Sequence, residues 1–126
     1  MSDAALEHYK GGLALYGEGK YTLAVVEYDK ALALKPEWSD VLQAKGMAQM
    51  HSGKLEQALA TLKRVTELAP EDPLAFTSLS MAYVRLENIE EAEKAQAQAR
   101  LLSWKQELKT NPDAPRPDDG GMAVQQ

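Results

Sequence analysis

The side chains able to do chemistry are few and scattered. Two histidines, His8 and His51, are present, and neither has a second ligand or a carboxylate at metal-binding spacing. A metal needs three or four converging groups, so a packing role is expected for His8 and a solvated helix-end role for His51. Gly11, Gly12, Gly17 and Gly19 invite comparison with a phosphate-cradling loop. They fall within and just after a helical pattern, however, and no Gly-Lys-Ser/Thr follows. No serine has a base and an orienting acid placed to activate it. The paired acids Glu90-Glu91 and Asp118-Asp119 fall on a solvated first turn and near the end of the chain. With no cysteine, thiol nucleophiles, thiolate metal sites and disulfides are all excluded. These residues point away from an enzyme and call for no metal or cofactor.

The elements that must position any binding residues are helical. Alanine, leucine, glutamate, lysine and glutamine dominate, phenylalanine occurs once, and apolar residues recur at helical spacing throughout. A chain of 126 residues suits one domain with one architecture. The net charge of −5 is interspersed, with no basic stripe for phosphates, so nucleic acid is not an expected partner. No run approaches the roughly 20 apolar residues of a membrane span, and Met1 to Lys10 lacks the basic and apolar regions of a secretory signal. A cytoplasmic location, away from the membrane, is the expectation.

A shift of 34 residues brings like onto like, the mark of an internal repeat. Ala24, Ala58 and Ala92 align, as do Ala14, Ala48 and Ala82, then Leu34, Leu68 and Leu102. The small residues Gly12, Gly46 and Ser80 form another column, and Pro36 and Pro70 close the first two units. Within each unit the apolar pattern breaks near Gly17 and Gly19, near Gly53 or near Asn88 and then resumes, which predicts helix, turn, helix three times. The small residues belong where two backbones approach closely.

These columns resemble the tetratricopeptide repeat. Unit one reads His8, Gly11, Gly12, Leu15, Ala24, Tyr28, Ala31, Pro36. Unit two reads Leu42, Lys45, Gly46, Gln49, Ala58, Leu62, Val65, Pro70, and unit three Phe76, Leu79, Ser80, Tyr83, Ala92, Gln96, Ala99. The resemblance implies an all-α solenoid of three helical hairpins at about residues 5–38, 39–72 and 73–106, within a domain spanning 1–111. Gln96 stands where a large apolar residue would meet a following repeat, and Glu93 and Arg100 make the outer face of the last helix polar, as a terminal repeat requires. Trp104 replaces the closing proline, so the last helix is expected to run on through Leu101, Trp104 and Leu108 to Asn111-Pro112. Lys45 and Gln49 depart from the apolar preference of their columns. Residues 112–126, rich in Pro, Asp and Gly, read as a flexible tail whose removal should leave the helices intact.

In this family the first helix of each unit lines a concave groove that holds other polypeptides. The corresponding columns are Leu13, Met47 and Met81; Tyr16, Met50 and Val84; and Tyr9, Gln43 and Thr77, with Arg85 or Asp40 orienting the ligand. The second column packs partly between helices. Members that grip the acidic carboxylate tail of a heat-shock chaperone use lysine, asparagine and arginine at places held here by Tyr9, Leu13, Ala44, Leu74 and Ser78, so that clamp is absent. The polarity of the groove is similar to that of three-repeat secretion chaperones. The expected function is a scaffold or chaperone-like adaptor whose partner is an apolar peptide or helix of another protein. The alternative is a structural protein that forms a homodimer or longer assembly through its ends or through Leu101, Trp104 and Leu108.

Overall fold

The computed structural model describes residues 3–117. Among them the chain forms helices α1 (Ala4–Gly17), α2 (Tyr21–Leu34), α3 (Ser39–His51), α4 (Leu55–Leu68), α5 (Pro73–Arg85) and α6 (Ile89–Leu108), and no strand. They pair as three antiparallel hairpins, α1/α2, α3/α4 and α5/α6. Each helix packs on the next, and α1, α3 and α5 also touch one another side by side.

The ends of the helices follow from local chemistry. Asp3 caps α1 by accepting from the Leu6 amide at 3.2 Å, and Asp72 caps α5 from the Leu74 amide at 3.0 Å, with Pro73 opening the helix. Side-chain oxygens there satisfy amides that have no partner inside the helix. Each hairpin turn needs one left-handed residue. Gly19 and Gly53 supply it at φ 78° and 84°, whereas the third unit puts Glu87 there at φ 62°, a conformation that strains a residue carrying a Cβ.

The small columns set the hairpin spacing. A Cβ placed on Gly46 would lie 2.5 Å from Leu62 Cδ2, and one on Gly12 would collide with the Tyr28 ring. In unit three Ser80 fills the column and donates its hydroxyl to the Ala92 carbonyl at 2.9 Å. Facing these, Ala24, Ala58 and Ala92 are all buried. Ala48 and Ala82 are fully enclosed between units, while Ala14, in the same column, is exposed on the open side of the first hairpin.

Two departures from the family pattern have partners. Lys45 reaches back to Asp29 of the preceding unit at 2.7 Å, keeping its stem against the helices and its charge at the surface. Gln49, only 6% exposed, accepts from Thr61 Oγ1 at 2.7 Å. A hydrogen bond across the hairpin thus replaces an apolar contact.

Helix α6 runs to Leu108, 20 residues against 14 for α2 and α4. The composition of the following stretch predicts a free tail from Pro112, but the first part of it is docked. The chain turns over 109–113 and returns so that Ala114 is 6% exposed and its carbonyl accepts from Trp104 Nε1 at 2.9 Å. The Arg116 guanidinium lies 5.5 Å from the centre of the indole. Composition misses this because one alanine suffices when an indole N–H and a ring face are available to receive the backbone and a cation. The rest of the expected tail, 118–126, lies outside the described residues.

Tyr28 is enclosed at 0% exposure, and its hydroxyl has no hydrogen-bond partner among the described residues. Burial pushes that hydroxyl up to about 12 from 10.0. The folded state therefore holds the proton more tightly than the unfolded one. The associated stability is complete below pH 10 and is lost as pH rises toward 12. Tyr28→Phe should leave the melting temperature at neutral pH unchanged or higher, since an unpaired buried hydroxyl costs about 1–3 kcal/mol. The variant should also lose less stability between pH 10 and 12. A fall of many degrees at neutral pH would show that the hydroxyl has a partner.

Truncation after Asn111 should remove the cover from Trp104. Losing a hydrogen bond and a cation–π contact costs about 1–2 kcal/mol, or a melting temperature lower by roughly 5–10 °C. Thermal unfolding of the truncated chain reads this directly, and an unchanged midpoint would mean that the docked segment contributes nothing.

Candidate peptide-binding groove

The side-by-side helices α1, α3 and α5 present the surface on which the sequence places its binding columns. Each helix lends one face to its hairpin partner and another to the neighbouring unit, and the remaining face looks out from the row. Leu13 and Met81 are each 44% exposed and Val84 is 51% exposed, with Leu74 at 55% near the start of α5. Met47, between Leu13 and Met81 in the column, is half-buried against the core of the second and third hairpins. This column is continuous across the three helices and apolar throughout.

The second column is divided by the packing. Val84 is open. Tyr16 is half-buried, with its ring edge-on to Tyr21 at 5.2 Å and to His51 at 5.6 Å, and His51 stacks on Tyr21 at 4.9 Å. Met50 does not line the surface: at 2% exposure it belongs to the core with Leu62 and Tyr83. Helical spacing alone could not separate the two sides of this column, because it falls at the boundary between the outward face and the face turned to the next helix.

The third column forms the polar margin. Gln43 donates from Nε2 to Ser78 Oγ, joining α3 to α5. Its Oε1 is enclosed with no hydrogen-bond partner among the described residues. Thr77 is half-buried and spends its hydroxyl on the Pro73 carbonyl at 3.1 Å. Tyr9 is half-buried; burial raises its hydroxyl pKa, and the nearby Asp40 carboxylate raises it further. Asp40 and Arg85 are both exposed. The remaining expected residues, Leu101, Trp104 and Leu108, lie on α6, away from this surface, each half-buried.

Trp38 is absent from the sequence-based columns and belongs beside them. It occupies the N-cap of α3, where no side chain caps the helix. Its ring meets Tyr9 edge-on at 5.1 Å, and Lys35 Nζ lies 4.8 Å from its centre. Lys35, Pro36, Glu37 and Trp38 border an open hollow of about 670 Å³ at this edge of the groove. A serine or aspartate at the cap would stabilise α3 by about 1 kcal/mol, so the indole holds the place at some cost to the helix. The signal in the sequence was an aromatic residue at 38 where the next unit has the capping Asp72.

The histidines find ordinary partners, with His8 Nδ1 lying 3.0 Å from Glu27 Oε1. Hydrogen bonds from His8 and Lys30 hold the Glu27 carboxyl below its usual range. No three His, Asp or Glu side chains converge at metal-binding distance among the described residues. No helix among them is long and apolar enough to cross a membrane.

The architecture is that of a helical-repeat protein, three helical hairpins stacked in a row. The family model described as "Tetratricopeptide repeat" matches residues 15–81, and the chain belongs to that family. Over 94 residues it is 32% identical to the TPR repeat-containing thioredoxin TTL4 of Arabidopsis thaliana, covering 75% of this chain and spanning 14% of that protein. It is 26% identical over 120 residues to the photosystem I assembly protein Ycf3 of Synechococcus sp. (strain CC9605), covering 88% of this chain and 69% of the relative. Among solved structures, the second TPR of Spaghetti (RPAP3) bound to the HSP90 peptide SRMEEVD has the same fold, with a TM-score of 0.75 and 23% identity. That match covers 79% of this chain and 93% of the other.

The division of the methionines can be tested by substitution. Met50→Ala should cost about 2–5 kcal/mol, the range for emptying a core site. Met81→Gln should change stability by no more than about 0.5 kcal/mol, as surface replacements do. Chemical denaturation of both variants measures this, and equal effects would erase the distinction between core and groove.

Proposed function

We propose that this protein is a small adaptor or chaperone-like scaffold that holds an apolar segment of another polypeptide against the concave face of α1, α3 and α5. The observation that carries this reading is the exposure of Leu13, Met81 and Val84, at 44%, 44% and 51%, along helices whose hairpin contacts are already completed by glycine and alanine. Exposed apolar side chains in a continuous row work against solubility, and a bound segment offsets that. Methionine suits such a surface because its unbranched, polarisable side chain adapts to different ligands.

The ligand is apolar rather than acidic. A peptide such as SRMEEVD carries carboxylates that call for cations, and the positions that supply them in clamp-bearing members hold Tyr9, Leu13, Ala44, Leu74 and Ser78 in this chain. Asp40 stands at one side and Arg85 at the far end, both exposed and available to fix direction by charge. The relative Ycf3 is a photosystem I assembly protein, and an assembly role agrees with a holding function. We place the protein in the cytoplasm, acting by binding and not by catalysis.

Display selection against the full chain supplies an apolar peptide for the test. Leu13→Glu with Met81→Glu should weaken it by about 2 kcal/mol or more, the scale of buried interface anchors, while helicity and melting temperature stay near those of the parent. SRMEEVD should bind far more weakly than the selected peptide. Undiminished affinity in the double variant, with its fold intact, would sink the groove reading.

A further inference from the structure

The outer side of α2 carries a pattern that the other outer helices lack. Leu23, Glu27, Lys30 and Leu34 succeed one another at spacings of four, three and four residues. At roughly 100° per residue, this places all four within an arc of about 60°. Leu23 and Leu34 are 54% and 56% exposed, and Val26 beside them is 45% exposed. The order apolar, acidic, basic, apolar is complementary to its own reversal. An antiparallel copy related by a twofold axis between Tyr28 and Asp29 would set Leu23 opposite Leu34 and Glu27 opposite Lys30. Both pairs would then recur on the other side, which is what an interface between identical patches requires.

The repeats sharpen the point. The corresponding residues of α4 are Gln57, Thr61, Arg64 and Leu68, and those of α6 are Glu91, Ala95, Gln98 and Leu102; neither series complements itself. In those units the same side is engaged within the stack, with Arg64 lying 3.8 Å from Glu37 of the preceding loop and Leu102 only 7% exposed. In unit one Leu23, Val26, Lys30 and Leu34 are exposed, while Glu27 is partly buried and also meets His8 of α1 at 3.0 Å. Lys30 meets Glu27 of its own helix at 3.0 Å, a surface pairing that is readily exchanged for the same pairing across an interface.

We propose that α2 is a self-association surface on which a second copy of this chain docks antiparallel. The contact uses no residue of the concave face, so both grooves stay open in the dimer. It also differs from association through Leu101, Trp104 and Leu108, because the chain's own return over Ala114 occupies Trp104.

The chain has no cysteine, so introduced thiols report without interference. Full-length Leu23→Cys mixed with full-length Leu34→Cys should give a disulfide-linked dimer under mild oxidation. Either variant alone should give little, since two copies of position 23 would lie about 16 Å apart along the helix axis, beyond the roughly 7 Å that a disulfide tolerates. In equilibrium sedimentation the unmodified chain should pass from monomer to dimer as concentration rises. Lys30→Glu should weaken the dimer by roughly tenfold or more, and adding Glu27→Lys should restore it. A chain that remains monomeric at near-millimolar concentration would overturn the proposal. So would cross-linking that proceeds as well within either variant alone as in the mixture, or a folded double exchange that fails to recover the dimer.

Discussion

The close approach of the two helices in each hairpin is the constraint from which the rest of this structure follows. Gly12 and Gly46 leave no room for a Cβ against Tyr28 and Leu62, and Ser80 meets the backbone of α6 through its hydroxyl. With the crossing fixed, Ala48 and Ala82 can be enclosed between successive units, and three hairpins stack without large side chains at their centres. Interiors packed to this density accommodate additional atoms poorly. That completeness leaves the outward faces of α1, α3 and α5 free to carry Leu13, Met81 and Val84. A looser hairpin would draw these side chains inward as filling.

The ends of the stack are treated differently. At the far end, Glu93 and Arg100 make the outer face of α6 polar, and the chain after α6 folds back on Trp104 through the Ala114 carbonyl and the Arg116 cation. At the near end, Ala14 and the α2 residues Leu23, Val26 and Leu34 remain exposed. A repeat array must finish each terminus in some way, since an uncovered repeat face is apolar. In this chain one terminus is finished by its own backbone and polar residues, and the other keeps exposed leucines of matched pattern.

The fold was legible because periodicity is carried by many positions at once. Columns such as Ala24, Ala58 and Ala92 need no neighbour outside the repeat to be read. The site was legible only in outline. Leu13 and Met81 could be placed on the outward face, but Met50 sits where a rotation of a few tens of degrees decides between surface and core, and that rotation is set by how α3 settles on α4 and α5. Trp38 and Ala114 escaped for a related reason. One is an aromatic residue in a capping position and the other a small residue in a Pro-rich stretch, and each acquires its role from a single tertiary partner, Tyr9 or Trp104. Glu87 at a left-handed turn position was hidden too, because its column holds glycine in the other two units and only the alignment of turns exposes the substitution.

The methionine methyl groups offer the most direct test of the claim that the concave face binds an apolar segment. Met47, Met50 and Met81 lie along α3 and α5 at different depths, and their methyl resonances can be followed while an amidated, uncharged apolar peptide is titrated into the full chain. The account predicts large shifts at Met81 and Met47, a smaller response at the enclosed Met50, and saturation at one peptide per chain. Saturable binding that leaves all three resonances in place, with shifts confined to residues of α2 or α6, would contradict it.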